Sequence, residues 1–489
     1  MIKFLKYSLL FVGLVLLASV QTGCRKNKLL TDASAKVTFS TDSVLFDTVF
    51  TSSGSSTRNF RIRNPHDQKI KISSIVLQGG SQSSFIINVD GTSGTSFSDI
   101  ELDAGDSMYV FVQVNVNPGN VNSPFIISDA LKFKVNGNEQ TVVLEAWGQD
   151  AWYHKATNAI HFTNGSYLPY SRISSNDKCD TVWKKDKPHV IYGYLVVDSL
   201  QKLTIEAGVQ VYLNYKAGLW VYRYGQLKVL GEKGNEVVFQ GARREREYLG
   251  QSGQWDRIWI NEGSDYNEIN YAIIKDGYIG IQTEILGNVI GGPGKLKLTN
   301  TQVYNMSLWG LYGFGYKIYA GNTVFGNCKE CALNIALGGD YQFRHCTFAN
   351  FWTDDVRKKT CINLSNYTSS GQVLPISVYF GNCIIDGKLS EEITMDLKGI
   401  DTIKTVNYSN CYLKTDADIS NTAYYTNVKK GASLKYNDVT KWKYWPDPAD
   451  TIIKNFDNNK ARTDVLLFPD DITGKFRTRP KITAGAYEF

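Results

Sequence analysis

The sequence predicts an all-β chain, a β-sandwich followed by a long coil of stacked β-rungs. Three observations carry this expectation. The first is a recurring phrase, Asn/His–small–x–aliphatic: Asn300-Thr301-Gln302-Val303, Asn322-Thr323-Val324-Phe325, His345-Cys346-Thr347-Phe348, Asn382-Cys383-Ile384-Ile385 and Asn410-Cys411-Tyr412-Leu413. With a looser copy at Tyr271-Ala272-Ile273-Ile274, the spacings are 29, 22, 23, 37 and 28 residues. A recurrence near 22 residues with a strand in each unit signals a solenoid. The second is composition: 42 Gly against 11 Pro suits many tight corners between short strands. The third is a set of short alternating segments in the first third, separated by turn residues.

Taken in chain order, residues 1–23 read as an export signal. Lys3 and Lys6 form a positive start, and Ser8 to Val20 is apolar but short for a membrane span. Gln21-Thr22-Gly23-Cys24 resembles a bacterial lipoprotein cleavage site, which implies lipid on Cys24 and a stable anchor from several acyl chains. Residues 24–35 then serve as a tether. The basic run Arg25-Lys26-Asn27-Lys28 favours the periplasmic face of the outer membrane over the cell surface.

Residues 36–148 form the sandwich. Val110, Val112, Val114 and Val116 share one face of a strand, and Phe111, Gln113 and Asn115 share the other. Asn136-Gly137 is a hairpin signal. About seven short strands suggest an immunoglobulin-like sandwich without its Cys pair. Residues 149–187 are polar, with scattered Trp, and read as a linker. The coil then runs over 188–489, and each rung pairs with the next at roughly 4.8 Å. Val303, Phe325, Phe348, Ile385 and Leu413 are expected to stack in one buried column. Thr301, Thr323, Cys346, Cys383 and Cys411 should form a second, narrow one. The Asn/His column lies beside a corner, where an amide caps backbone groups and His345 is structural.

Leu203-Thr204-Ile205-Glu206-Ala207-Gly208, Leu227-Lys228-Val229 and Gly253-Gln254-Trp255-Asp256-Arg257-Ile258 resemble the opening turns of right-handed parallel β-helix proteins. The ending Arg477-Thr478-Arg479-Pro480 … Ala484-Gly485-Ala486-Tyr487-Glu488-Phe489 resembles the close of such chains. With the N-terminal motif, the whole is similar to β-helix lipoproteins of Bacteroidota outer membranes that carry an N-terminal immunoglobulin-like domain.

The net charge of +6 is mild and no dense Lys/Arg stripe appears, which argues against nucleic-acid binding. After Cys24, seven scattered cysteines make no disulfide framework. Cys328-Lys329-Glu330-Cys331 lacks the second ligand pair of a zinc site, so neither metal nor cofactor is expected. Two candidate sites remain. Asp354 and Asp355, with Arg357 and Lys358, are the nearest approach to a catalytic set, but they read better as a charged surface loop. This resemblance implies a polysaccharide lyase or glycoside hydrolase acting on acidic glycans as the alternative function. Tyr212, Trp220, Tyr222, Tyr224 and Trp259 alternate with inward residues and so face outward. They form a sugar platform, a docking face for an outer-membrane protein complex, or a surface covered by the sandwich or by 149–187. The reading is a lipid-anchored envelope protein with a non-catalytic binding or scaffold role.

Overall fold

The computed structural model describes residues 28–51, 54–116, 125–264, 266–285, 294–456, 459–477 and 481–489. Cys24 and the export segment lie outside them. Among the described residues no helix is long and apolar enough to cross a membrane. The chain divides into two compact units, 1–150 and 151–489.

In the first unit two five-stranded sheets enclose one core. One sheet holds Thr38–Phe39, Arg58–Arg63, Ser107–Val114, Phe85–Val89 and Thr92–Gly94; the other holds Ser43–Phe50, Asn138–Gln149, Phe125–Val135, Ile70–Leu77 and Ser96–Leu102. Period-two alternation sends Val110, Val112 and Val114 inward from one, against Ile72, Phe133 and Leu144 from the other. Asn136 and Gly137 both adopt positive φ, the conformation a two-residue hairpin needs. The expected tether is corrected over its described part. Leu30 pairs with Lys69, Asn136 binds the carbonyls of Leu30 and Asp32, and Ala35 is buried.

The second unit is a parallel β-helix. Each coil gives one strand to each of three sheets. The first sheet has eleven strands, from Trp152–Lys155 to Lys429–Lys430. The second has ten, from Asn158–His161 to Ile393–Asp396, and the third ten, from Asp180–Trp183 to Tyr425–Thr426. All neighbours are parallel except the hairpin of Asn158–His161 with Tyr167–Arg172. The column Val303, Phe325, Phe348, Ile385, Leu413 is in direct register and fully buried. The column of small residues is buried too, and its three thiols stack in sequence at Cys346, Cys383 and Cys411.

The Asn/His column marks the corner from third to first sheet. Tyr271, Asn300, Asn322, His345, Asn382, Asn410 and Asn427 all have φ between 46° and 56°. Asn tolerates this left-handed conformation better than most residues, which explains its recurrence. The amides also form ladders: Asn300 donates to Asn270 at 2.9 Å, Asn322 to Asn300 at 3.1 Å and Asn427 to Asn410 at 2.7 Å. His345 interrupts the ladder. It is fully buried, and burial holds its ring well below the usual titration range, hence neutral. A second ladder, unforeseen, links Asn327, Asn305 and Asp276 at 2.9 and 2.6 Å.

Two boundaries differ from expectation. Residues 151–187 are the first coil, not a linker: Trp152–Lys155, Tyr167–Arg172 and Asp180–Trp183 each pair with the coil that follows. At the other end the coil stops near Lys430. Beyond it the chain folds back over the outer face of the first sheet. Ile453, Phe456, Val465 and Ile482 pack on Ile384 and Tyr412, while Tyr444, Ile472 and Tyr487 pack with Val324 and Ala349. Arg477 explains its place in the ending motif. Fully buried, it binds Asn322 of the corner ladder at 2.8 Å and Glu488 at 3.4 Å.

The first coil is sealed by an aromatic stack. Trp183 lies 3.9 Å from His189 and 4.9 Å from His154, and the two imidazoles share a 2.9 Å hydrogen bond. Burial pushes His154 down to about 4 and His189 to about 3. Unfolded, both titrate near about 6.5, so the unfolded chain takes up more protons below that pH. Stability is therefore expected to fall as pH drops from about 6.5 towards 4, by about 2 kcal/mol for each imidazole at pH 5 and so about 4 kcal/mol for the pair. Thermal melting across this range checks it; the double substitution His154→Phe, His189→Phe should flatten the slope.

Candidate functional site

The three faces of the coil differ in access. The first is covered from Tyr304 to Tyr412 by the C-terminal segment. The corners from third to first sheet take only two residues in five successive coils, Asn300-Thr301 through Asn410-Cys411. Longer excursions arise beside the second sheet, at 242–257, 351–361, 366–375 and 397–403. Loops on a rigid scaffold are where binding groups concentrate, so the second sheet's outer face is the first place to search.

Its central outward column is Val196, Trp220, Trp259, Gln282, Tyr312, Asn334, Asn363 and Thr394, in register from rung to rung. Parallel register stacks like on like. The Trp220 and Trp259 rings lie 4.7 Å apart and 12° from parallel. Tyr222 meets Trp220 edge-on at 5.4 Å. Because the two indoles stack on each other, their edges rather than their faces point outward, and each indole N–H is engaged. Trp220 donates to Asn261 at 2.6 Å and Trp259 to Glu284 at 2.9 Å.

Polar groups join this strip into a chain. Gln282 donates to Glu284 at 2.7 Å and accepts from Arg257. Arg257 forks onto Asp256 at 2.9 and 3.0 Å, and Asp256 accepts from the Tyr194 hydroxyl. Burial, reinforced by Asp256, pushes the Tyr194 hydroxyl far up, so it stays a neutral donor. The aromatic surface continues on the next rung. Trp309 stacks on Tyr312 at 4.7 Å, Tyr312 on Phe314 at 6.3 Å, and Trp309 donates to Glu330 at 3.1 Å. The Tyr312 phenol is pushed up to about 12 by burial and the nearby Glu284.

Three of the five aromatics expected outward therefore meet on one face: Trp220, Tyr222 and Trp259. Their upper end is covered, as one expected alternative held, by part of 149–187: Ile160, Leu168 and Tyr170 pack on Tyr194, Val196 and Trp220, leaving Trp220 only 8% exposed. Tyr212 belongs elsewhere. It sits on the first sheet, nearly buried, with the Arg244 guanidinium 4.9 Å over its ring. Tyr224 lies past its strand at φ 62°, exposed beside Gly263. Alternation reveals an outward residue, but not which of three sheets carries it.

The acidic loop does not converge. Asp354 and Lys358 are exposed. Asp355 pairs with Lys329 at 2.8 Å and accepts from Trp352 at 2.7 Å, which together hold its carboxyl below the usual range. Arg357 turns inward to a buried pair with Glu392. Cys328 and Cys331 are buried, and burial pushes the Cys331 thiol up to about 12 and Cys328 beyond, the opposite of a reactive or metal-ready pair. No cluster of three metal-ligating side chains occurs among the described residues.

No protein-family model matches the chain, and no curated protein matches it. Among solved structures, the catalytic domain of a GH87 alpha-1,3-glucanase in complex with tetrasaccharides is similar over 81% of this chain and 92% of its own, at 10% identity and a TM-score of 0.27. The E. coli chaperone DraB matches over 29% of this chain and 82% of its own, at 10% identity and a TM-score of 0.17. A family 123 glycoside hydrolase from Clostridium perfringens matches over 24% of this chain, at 7% identity and a TM-score of 0.17, and the chain spans only 26% of that hydrolase. Likenesses this slight say nothing of activity.

Proposed function

We propose that this chain is a lipid-anchored envelope protein whose second sheet binds a glycan along its outer face. The anchor is Cys24, an immunoglobulin-like sandwich follows, and a right-handed β-helix presents the binding face at the outer membrane. One observation carries the reading. Aromatic edges at Trp259, Trp309 and Tyr312 line up with Glu284, Gln282, Arg257 and Glu330 on adjacent rungs of a rigid sheet. Sugars present alternating C–H faces and hydroxyls, which such a strip meets with apolar edges and hydrogen-bonding groups. Trp259→Ala and Glu284→Gln are each expected to weaken glycan binding about 10-fold or more. Calorimetry against a panel of neutral and acidic oligosaccharides checks this. A parent protein that binds no glycan, yet recovers one stoichiometric protein from membranes, would make the face a protein-docking surface instead.

A second reading is favoured by the carboxylates on the same face. Asp256 and Glu284 are joined through Arg257 and Gln282, an arrangement that offers an acid and a base to a glycosidic bond. Release of reducing ends from a polysaccharide, lost in Glu284→Gln and Asp256→Asn, would establish a glycoside hydrolase.

A further inference from the structure

The aromatic strip of the second sheet carries an excess of negative charge. Asp256 is balanced by Arg257, whose guanidinium forks onto it and gives its remaining Nη to Gln282. Glu284 and Glu330 have no counter-cation among the described residues. The Glu284 carboxylate accepts from two neutral donors, the Trp259 indole at 2.9 Å and the Gln282 amide at 2.7 Å. Glu330 accepts from the Trp309 indole at 3.1 Å, and its chain neighbour Lys329 is taken by Asp355 at 2.8 Å. The two carboxylates attend one ring stack: Glu330 holds the Trp309 indole, and the charge of Glu284 acts on the Tyr312 phenol. All four side chains are partly exposed.

A second, independent sign is Asn261. It stands in register with Glu284, and Glu284 with the partly exposed Phe314, so the three share the outward side of the sheet. The Asn261 amide oxygen accepts the Trp220 indole N–H at 2.6 Å, which keeps the side chain on that face. The residue is fully buried, and its amide nitrogen has no acceptor among the described residues. A buried donor left unsatisfied is costly unless a ligand supplies the acceptor. Because Asn261 and Glu284 are neighbours across two rungs, that acceptor belongs beside the carboxylate.

A ligand that suits these groups brings cations for two carboxylates, acceptor oxygens for an amide, and C–H surface for ring edges. Resting on the glycan reading of this face, we propose that the glycan is cationic, a polymer of amino sugars with free ammonium groups. Its ammonium groups lie against Glu284 and Glu330, its sugar rings on the edges of Trp309 and Tyr312, and a hydroxyl or ring oxygen accepts from Asn261. A uronate or sulfate polymer would set like charge against both glutamates. An extended basic peptide suits the face less well. Ile258–Asn261, Ile279–Glu284 and Trp309–Phe314 are each paired on both sides, so the sheet offers a peptide no backbone hydrogen bonds there.

The test is calorimetry of the full-length protein with a glucosamine hexamer, its N-acetylated counterpart, an oligogalacturonate and hexalysine, at mildly acid pH where the amines are protonated. The glucosamine hexamer is expected to bind at least about 10-fold tighter than the N-acetylated one, on the order of one charge-assisted contact. That preference should shrink as salt is raised. Glu284→Gln with Glu330→Gln keeps a carbonyl oxygen for each indole and should bring the ratio of the two hexamers close to one. Trp259→Ala should weaken both hexamers and keep their ratio. Asp67→Asn, an exposed carboxylate of the sandwich, should change nothing, and melting curves confirm that each variant is folded. Equal affinity of the parent for the two hexamers, or tighter binding of the oligogalacturonate, overturns the proposal and leaves the glycan reading standing. A parent that binds no sugar overturns both. Hexalysine bound as tightly as the glucosamine hexamer assigns the charge to a basic protein partner and overturns the proposal too. So does a parental ratio in the double glutamine variant, since the carboxylates would then only position the indoles.

Discussion

Glu392→Ala is expected to destabilise the coil by about 3–5 kcal/mol, the cost of breaking a buried ion pair by removing one partner. Glu392 is fully buried and its carboxylate accepts four hydrogen bonds: two from Arg357 at 2.5 and 2.8 Å, and one each from the N–H groups of Leu389 and Cys361 at 2.8 Å. Arg357 in turn clamps the carbonyls of Asn350 and Lys359. The pair thus closes the 351–361 excursion onto the coil. Without Glu392 a guanidinium remains buried beside Cys331 and Cys361 with no counter-charge. The double substitution Arg357→Met, Glu392→Met should recover part of the loss, because no isolated charge is left behind. Urea denaturation of the two variants measures it. A loss under about 1 kcal/mol in Glu392→Ala would show that the pair is not structural.

Phe348→Ala should cost about 3–5 kcal/mol, the range for large-to-small changes in a closed core. Its ring stacks on Phe325 at 5.0 Å and 6°, and meets Phe343 and Phe380 edge-on at 5.4 and 5.9 Å. Four rings from two sheets interlock there, so the hole cannot be filled by one side chain shifting. Each coil touches only its neighbours, so the damage is expected to stay local. Hydrogen exchange should accelerate in Val324–Cys328, Thr347–Asn350 and Ile384–Gly387 while Lys202–Glu206 stays protected. Uniform acceleration across the coil would contradict a neighbour-only architecture.

What could be read from the chain, and what could not, divides along physical lines. Asn300, Asn322, Asn382 and Asn410 betray the corner because left-handed backbone selects Asn and the same small and aliphatic residues follow it in each coil, whatever the coil's length. Phe348 and its column follow from the same register. The first coil reads as a linker because an end rung has only one neighbour, so Trp152–Lys155 and Asp180–Trp183 carry polar, half-exposed residues and no Asn corner. The segment after Lys430 reads as more coil because its apolar residues are as frequent as in a rung, and the sequence does not reveal that they pack on the outside of a sheet instead of within it. Arg357 and Glu392 lie far apart in sequence and meet through an excursion that no periodicity encodes.

The two-residue corners between third and first sheets have a consequence for how such a chain can change over generations. An extra residue there would displace the Asn from its left-handed position and slip every following strand by one, turning buried side chains to solvent. Additions at the opposite corners shift nothing, since those connections already vary from a few residues to sixteen at 242–257. Over the five coils from Asn300 to Cys411, length can therefore change only around the second sheet while the Asn spine stays fixed.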